Sequence, residues 1–194
     1  MSNTISAVIL AGGRSRRMNG QDKGLQCLHN KPLFLHCYQR LQPQISDISI
    51  NANRNLCEYK KSHLDVFQDT LENFQGPLSG ILTSLQQAKT DFVLFVPCDC
   101  PNLPLNLCQK LEQAIQIHPT SLIAYAHDGE REHPTFCLIS KKIAPALEQY
   151  LQSGQRKMLD FIHTQPSIAV DFSENKQAFK NINYLKDLND LNAQ

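Results

Sequence analysis

The sequence predicts an α/β fold with a mostly parallel, doubly wound sheet, and three observations carry that reading. Short apolar runs alternate along the chain with stretches of helical periodicity. The clearest run, Phe92-Val93-Leu94-Phe95-Val96, is apolar on both faces, as a strand inside a covered parallel sheet must be. Several runs end in glycine or a polar residue (Gly12-Gly13 after Leu10, then Asn51, Asp69 and Asp99) at the carboxyl ends of strands, where such sheets bind ligands.

Each element follows from pattern and punctuation. Ala7-Val8-Ile9-Leu10 is a buried strand that runs into Gly12-Gly13. Lys31-Pro32 opens a helix over Leu33–Leu41, apolar at 33, 34, 37, 38 and 41 and stopped by Pro43. Ile45, Ile48 and Ile50 lead a strand into Asn51, and Leu64–Phe67 forms another that ends near Asp69. Gly76-Pro77 starts a helix with proline in its first turn and Leu78, Ile81, Leu82 and Leu85 on one face. Phe92–Val96 is followed by a loop stiffened by Pro97, Pro101 and Pro104, and then by a helix over Leu105–Ile117. Leu122–Ala126 and Thr135–Ile139 read as strands on either side of the turn-like His127-Asp128-Gly129-Glu130. Lys141–Leu151 is amphipathic, Ile168-Ala169-Val170 is a last short strand, and Tyr184–Leu191 reads as a terminal helix. No repeat, low-complexity tract or linker divides the 194 residues, so 1–194 reads as one domain.

Composition excludes several classes. Lys and Arg number 19 against 18 Asp and Glu, a net charge of +1 that argues against a nucleic-acid binder or a polybasic membrane module. With 41% hydrophobic residues and so little net charge, disorder is not the expected state. No apolar run approaches the ~20 residues of a membrane span. Met1–Ser6 is polar, with no signal core, and Arg16-Arg17 follows a strand rather than preceding an apolar stretch; the expectation is a cytoplasmic protein. Seven scattered cysteines without a C-x-x-C pair fit neither a disulfide framework nor a structural zinc site. Cys98 and Cys100 flank Asp99 and could point the same way, but lacking a second pair of soft ligands they read as packing residues.

The stretch Leu10-Ala11-Gly12-Gly13-Arg14-Ser15-Arg16-Arg17-Met18-Asn19-Gly20-Gln21-Asp22-Lys23-Gly24 is the most informative. Glycines directly after a strand let the backbone approach a ligand and aim N–H groups at phosphate oxygens. Arg17 and Lys23 add charge against a polyphosphate. The loop is neither G-x-x-x-x-G-K-[ST] nor G-x-G-x-x-G, which sets aside P-loop kinases and dinucleotide oxidoreductases. The plain alternative is a glycine turn with solvated basic residues; four basic residues within ten positions favour the phosphate loop.

The pattern L-A-G-G-x-S-x-R-M-x-x-x-D-K-G resembles the signature of nucleotidyltransferases of the molybdenum-cofactor branch, and is most similar to the molybdenum cofactor guanylyltransferase family. The resemblance continues through Lys31-Pro32-Leu33, Asn51-Ala52-Asn53-Arg54, Gly76-Pro77-Leu78-Ser79-Gly80, Pro97-Cys98-Asp99 with Pro101, and His127-Asp128-Gly129-Glu130-Arg131-Glu132-His133-Pro134. Val170-Asp171-Phe172-Ser173 and Asn181-Ile182-Asn183 complete it, so it covers nearly the whole chain in order. It implies a Rossmann-like, glycosyltransferase-A-type sheet that binds GTP and Mg²⁺ and transfers GMP to the terminal phosphate of molybdenum-bound molybdopterin, releasing pyrophosphate. By the same resemblance Leu10, Ala11, Gly12, Gly13 and Lys23 contact GTP, and Arg17, Lys23 and Asp99 serve the transfer itself. Asn51, Asp69 and Asp99 complete the nucleotide site, Asp99 holds the metal, and Arg156, Lys157, Asn181 and Asn183 face the pterin. A molybdoenzyme or chaperone then receives the product. Relatives usually follow the last Asn with Thr-Pro, where this chain has Tyr184-Leu185. Sister enzymes that use CTP tend to carry Ala-Ala-Gly in place of Ala11-Gly12-Gly13, and a catalytically silent GTP-binding protein is a further alternative.

The residue types suit that chemistry. Two anions must meet, so neutralisation and alignment supply most of the catalysis. An attacking phosphate is already ionised and needs no general base. His133, before Pro134, therefore reads as structural or substrate-orienting rather than as a proton carrier. Asp99 suits a magnesium ligand, since the ion takes carboxylate oxygens together with phosphates and water; its plain alternative is a loop cap. Asp69 reads either as a turn residue or as an acceptor for guanine N–H groups or a ribose hydroxyl, and Asn51 either as a turn cap or as a base or sugar contact. Arg156-Lys157 is, apart from the resemblance, an exposed basic pair.

Overall fold

The computed structural model describes residues 4–12, 21–71 and 76–182. Among them a seven-stranded sheet forms the centre. Its strands are β1 (Ile5–Leu10), β4 (Ile48–Asn51), β5 (Asp65–Phe67), β6 (Phe92–Pro97), β7 (Ile123–His127), β8 (Glu132–Ser140) and β9 (Ser167–Asp171), in the spatial order β5-β4-β1-β6-β8-β7-β9. A two-stranded ribbon, β2 (Cys27–Leu28) with β3 (Lys31–Pro32), stands apart from it. Six of the seven sheet strands run the same way, and β8 alone runs against them. The mostly parallel sheet expected from the sequence is therefore present with one inversion. Its cause is local: only Asp128–Arg131 separate β7 from β8, too few residues for a parallel crossover, so the two must form a hairpin.

Alternation of side chains divides the core in two. On one face Ala7 and Ile9, Ile48 and Ile50, Leu94 and Val96, Ala124 and Ala126, and Phe136 and Leu138 pack under α1 (Leu33–Leu41) and α4 (Leu107–Ile117). On the other, Val8, Val93, Phe95, Ile123, Tyr125, Cys137 and Ile139 meet α3 (Pro77–Gln87), α5 (Ala144–Gln152) and α6 (Met158–His163). α1 buries Leu33, Phe34, Cys37 and Leu41, close to the stripe read from its sequence. α3 starts as expected, with Gly76 at φ +80° before Pro77, a conformation open to glycine. Lys141–Leu151 is split by a 3₁₀ turn over Lys141–Ile143, which leaves α5 to begin at Ala144. The terminal helix read over Tyr184–Leu191 lies outside the described residues.

Pro134 explains an irregularity in β8. The ladder pairs Tyr125 with Cys137 and then jumps to pair Ala126 with His133. Proline lacks an N–H for the ladder, and the strand bulges around it. Five further pieces were not anticipated: the ribbon, α2 (Leu56–Lys60), α6, and 3₁₀ turns at Lys23–Leu25 and Ser173–Phe179.

Candidate active site

The carboxyl ends of the parallel strands bring the predicted residues to one edge. Ala11 N–H donates to Asn51 C=O at 2.8 Å and Cys98 N–H to Leu10 C=O at 3.1 Å, so Leu10, Ala11 and Gly12 leave β1 held between the ends of β4 and β6. At Gly12 a side chain would stand 2.8 Å from Asn53 Nδ2, which is why the backbone here needs glycine. Gly13 and Arg17 lie outside the described residues, as does Asn183.

Asn51 and Asp69 form a pair. The Asn51 amide Nδ2 donates to Asp69 Oδ1 at 2.8 Å, and Asp69 N–H donates to Asn53 Oδ1 at 2.9 Å. Asp69 Oδ2 takes no hydrogen bond among the described residues, which leaves that oxygen able to accept from a ligand. Asn51 is buried and acts first by orienting that carboxylate. The first turn of α3 passes close above the pair: a side chain on Gly80 would collide with Asn51 Oδ1 and come within 3.3 Å of Asp69 Oδ1.

Asp99 follows β6 and is buried. Lys23 Nζ donates to its Oδ2 at 3.2 Å, an ion pair whose lysine side chain is 22% exposed and whose carboxylate is 9% exposed. Asn181 Nδ2 lies 3.3 Å from Oδ1 and 3.5 Å from Oδ2, and Ile182 N–H donates to Asp99 C=O at 2.9 Å. Lys23 and Asn181, 158 residues apart in the chain, thus meet on one carboxylate.

What aims Lys23 is its neighbour Asp22, to which the sequence reading gave no role. Asp22 is buried; its Oδ1 accepts from Tyr59 Oη at 2.7 Å and Gly24 N–H at 3.2 Å, and its Oδ2 accepts from Asn55 Nδ2 at 3.1 Å and faces Arg54 Nε at 3.5 Å. Burial, with the charge of Asp22 nearby, pushes the Tyr59 hydroxyl far above its usual range, so it stays a neutral donor. Gly24 packs against that hydroxyl and Cys98 Sγ, leaving no room for a side chain.

The residues that the resemblance assigns to the pterin side divide. Asn181 reaches Asp99, whereas Arg156 and Lys157 lie in the exposed turn before α6. There Arg156 Nη1 donates to Leu151 C=O at 2.6 Å, and Lys157 pairs with Asp160 at 3.7 Å. His133 bonds to Asp128 Oδ2 through Nε2 at 2.8 Å and stacks on Phe179, with centroids 4.6 Å apart and planes at 13°. That stack fastens the segment that delivers Asn181. Asp128 also accepts from the N–H groups of Glu130 (2.9 Å) and Arg131 (2.7 Å), and the His133 bond with these two holds its carboxyl well below the usual range.

Among the described residues no group of three or more His, Cys, Asp or Glu could hold a metal. Cys98 and Cys100 are buried, and burial with Asp99 alongside pushes both thiols well above their ordinary value, so both are neutral thiols here. A lone carboxylate such as Asp99 suits a hard cation that takes its remaining oxygens from phosphate and water. A groove of about 410 Å³ between α3 and the β4–β5 edge, lined by Ser6, Ser49, Asp65 and Ser84, belongs to the amino-terminal half of the sheet and not to this site. No helix among the described residues is long and apolar enough to cross a membrane.

Comparison with known proteins agrees with this geometry. Residues 7–168 match the MobA-like NTP transferase domain. A molybdenum cofactor guanylyltransferase of Pasteurella multocida is 63% identical over 97% of this chain and 99% of its own length. The chain belongs to the molybdenum cofactor guanylyltransferase family. A guanylyltransferase of this family from Haemophilus influenzae is 54% identical over 97% of both chains. The crystal structure of molybdopterin-guanine dinucleotide biosynthesis protein A from Archaeoglobus fulgidus superposes with a TM-score of 0.79 over 97% of both chains at 18% identity. The Rossmann-like, glycosyltransferase-A-type sheet of the guanylyltransferase family is thus the fold seen here.

Proposed function

We propose that this chain transfers GMP from GTP to the terminal phosphate of molybdenum-bound molybdopterin, releasing pyrophosphate. The observation that carries the reading is the meeting of Lys23 and Asn181 on Asp99 beside the Asn51–Asp69 pair, at the strand edge where Leu10, Ala11 and Gly12 emerge. Asp69 Oδ2 is the acceptor for guanine or ribose donors, and the backbone from Leu10 to Gly12 approaches the nucleotide closely. Lys23 sets a positive charge against the triphosphate. The Lys23 ammonium carries three donor hydrogens and its side chain is 22% exposed, so beside its bond to Asp99 it can also reach a phosphate oxygen. Asp99 would hold Mg²⁺, which when bound supplies charge against the triphosphate and the leaving pyrophosphate. No general base is required, because the acceptor phosphate is already anionic, and no histidine is placed against Asp99 by the hydrogen bonds of this site. Arg17 and Gly13 join the nucleotide side, and Arg156, Lys157 and Asn183 the pterin side, with a molybdoenzyme or chaperone as recipient of the product.

We read residues 1–194 as one nucleotidyltransferase domain, supported by the continuous sheet. Seven free cysteines support a reducing, cytoplasmic setting. The test is pyrophosphate release from GTP, with Mg²⁺ and molybdenum-loaded molybdopterin supplied. Release that requires the pterin and yields the guanine dinucleotide supports the reading. GTP binding without turnover, or equal use of CTP, overturns it.

A further inference from the structure

We propose that Cys100 is a positioning residue for Asp99, acting through the side-chain amide of Asn181. The proposal rests on the reading of Asp99 as the carboxylate on the triphosphate side. Cys100 is fully buried, and its Sγ lies 3.2 Å from Asn181 Oδ1, nearer than its two other acceptors, Asp99 Oδ1 at 3.8 Å and Phe179 C=O at 3.9 Å; the same amide turns its Nδ2 to both oxygens of Asp99. A carboxylate only accepts, and a thiol donates far better than it accepts. Rotated by 180°, the amide would put its oxygen against the carboxylate and its NH₂ against a weak sulfur acceptor. The thiol therefore reinforces, from the oxygen end of the amide, the orientation that donates to Asp99.

Asp99 favours the same orientation from the other end of the amide, and among the described residues Cys100 is the group hydrogen-bonded to the amide oxygen. The backbone beside Asn181 is pinned by Ile182 N–H on Asp99 C=O at 2.9 Å, which fixes where the side chain starts but not which way the amide faces. Asn181 is itself exposed, so water would serve either orientation equally. The Cys100 backbone is held in turn by Cys37, whose Sγ donates to Cys100 C=O at 3.3 Å, anchoring the loop that carries Asp99 to α1. Cys98, by contrast, packs against Gly24, and no hydrogen bond joins it to Asn181. The two cysteines flanking Asp99, alike in the sequence, have different tasks.

The experiment compares Cys100→Ala, which removes the donor, with Cys100→Ser, which keeps one. The first readout is independent of activity: the Asn181 side-chain ¹⁵N–¹H₂ signals, assigned by their loss in Asn181→Asp. They should move in Cys100→Ala and stay near their wild-type position in Cys100→Ser. The second readout is turnover, where Cys100→Ala should lower kcat about tenfold with little change in the KM for GTP, and Cys100→Ser should recover most of the loss. A thiol that only fills space would leave the amide signals in place and make serine no better than alanine, and either result overturns the proposal. Asp99→Asn measured alongside separates the two failures: normal turnover in that variant refutes the functional reading, while the amide signals still decide the role of Cys100.

Discussion

Replacing Asp99 by Asn keeps its size and removes the charge that Lys23 faces. If this carboxylate anchors a cation against the triphosphate, turnover should fall roughly a hundredfold or more, with circular dichroism unchanged. A folded variant with near-normal GMP transfer would take Asp99 out of the site. Lys23→Ala should differ in kind, because a phosphate contact present in ground and transition states alike is lost; calorimetry should show weaker GTP binding together with the slower rate. Tyr59→Phe tests the post below Lys23. It strips one donor from a buried carboxylate, so denaturant unfolding should show a loss of ~1–3 kcal/mol. A change inside the error of the measurement would mean that Gly24, Asn55 and Arg54 hold Asp22 without the hydroxyl.

Two elements carry predictions of their own. α3 approaches Asn51 and Asp69 at Gly80, where a methyl group cannot fit; Gly80→Ala should weaken GTP binding while far-ultraviolet dichroism stays native, and unaltered affinity would show that the helix can retreat. The β7–β8 hairpin is tied by Asp128, whose folded-state pKa is depressed by His133 and two backbone N–H groups. A carboxylate held below its unfolded value of about 3.9 stabilises the fold above that value, and the contribution drains away as the pH drops further. The melting-temperature gap between wild type and Asp128→Asn should therefore narrow as the pH falls below about 4; a gap that widens there would contradict this. At this scale the sequence was legible wherever period and punctuation agreed. Leu33–Leu41 is found as a helix with those limits, and Phe92–Val96 as a strand lengthened by one residue. The two-residue ribbon strands and the five residues of α2 are too short to show a period, and apolar content alone does not give the direction of β8.

Across the whole molecule, a site that hydrogen-bonds guanine leaves polar groups unpaired with another base, at ~1–3 kcal/mol for each lost partner, so GTP should bind at least tenfold more tightly than CTP or ATP. Equal affinities by titration calorimetry would refute a base-reading pocket. Asn51, Asp69 and Asp99 were legible because each stands at or just beyond a strand end, and a parallel sheet gathers such positions on one edge. Asp22, Asn53, Tyr59 and Gly80 were not, because what each does is settled by partners far away in the chain; nothing local announces that Tyr59 will reach Asp22, 37 positions earlier. The clamp on Asp99 has a consequence for the order in which the protein comes into being. Synthesis proceeds from the amino terminus, and domains form as their parts emerge. Lys23 and Asp99 can meet with about half of the chain translated, but the amide of Asn181 and the N–H of Ile182 arrive near the end. A nascent chain can thus bring Lys23 to Asp99 while the edge that joins them is unfinished, and the complete site waits until the ribosome has nearly done its work.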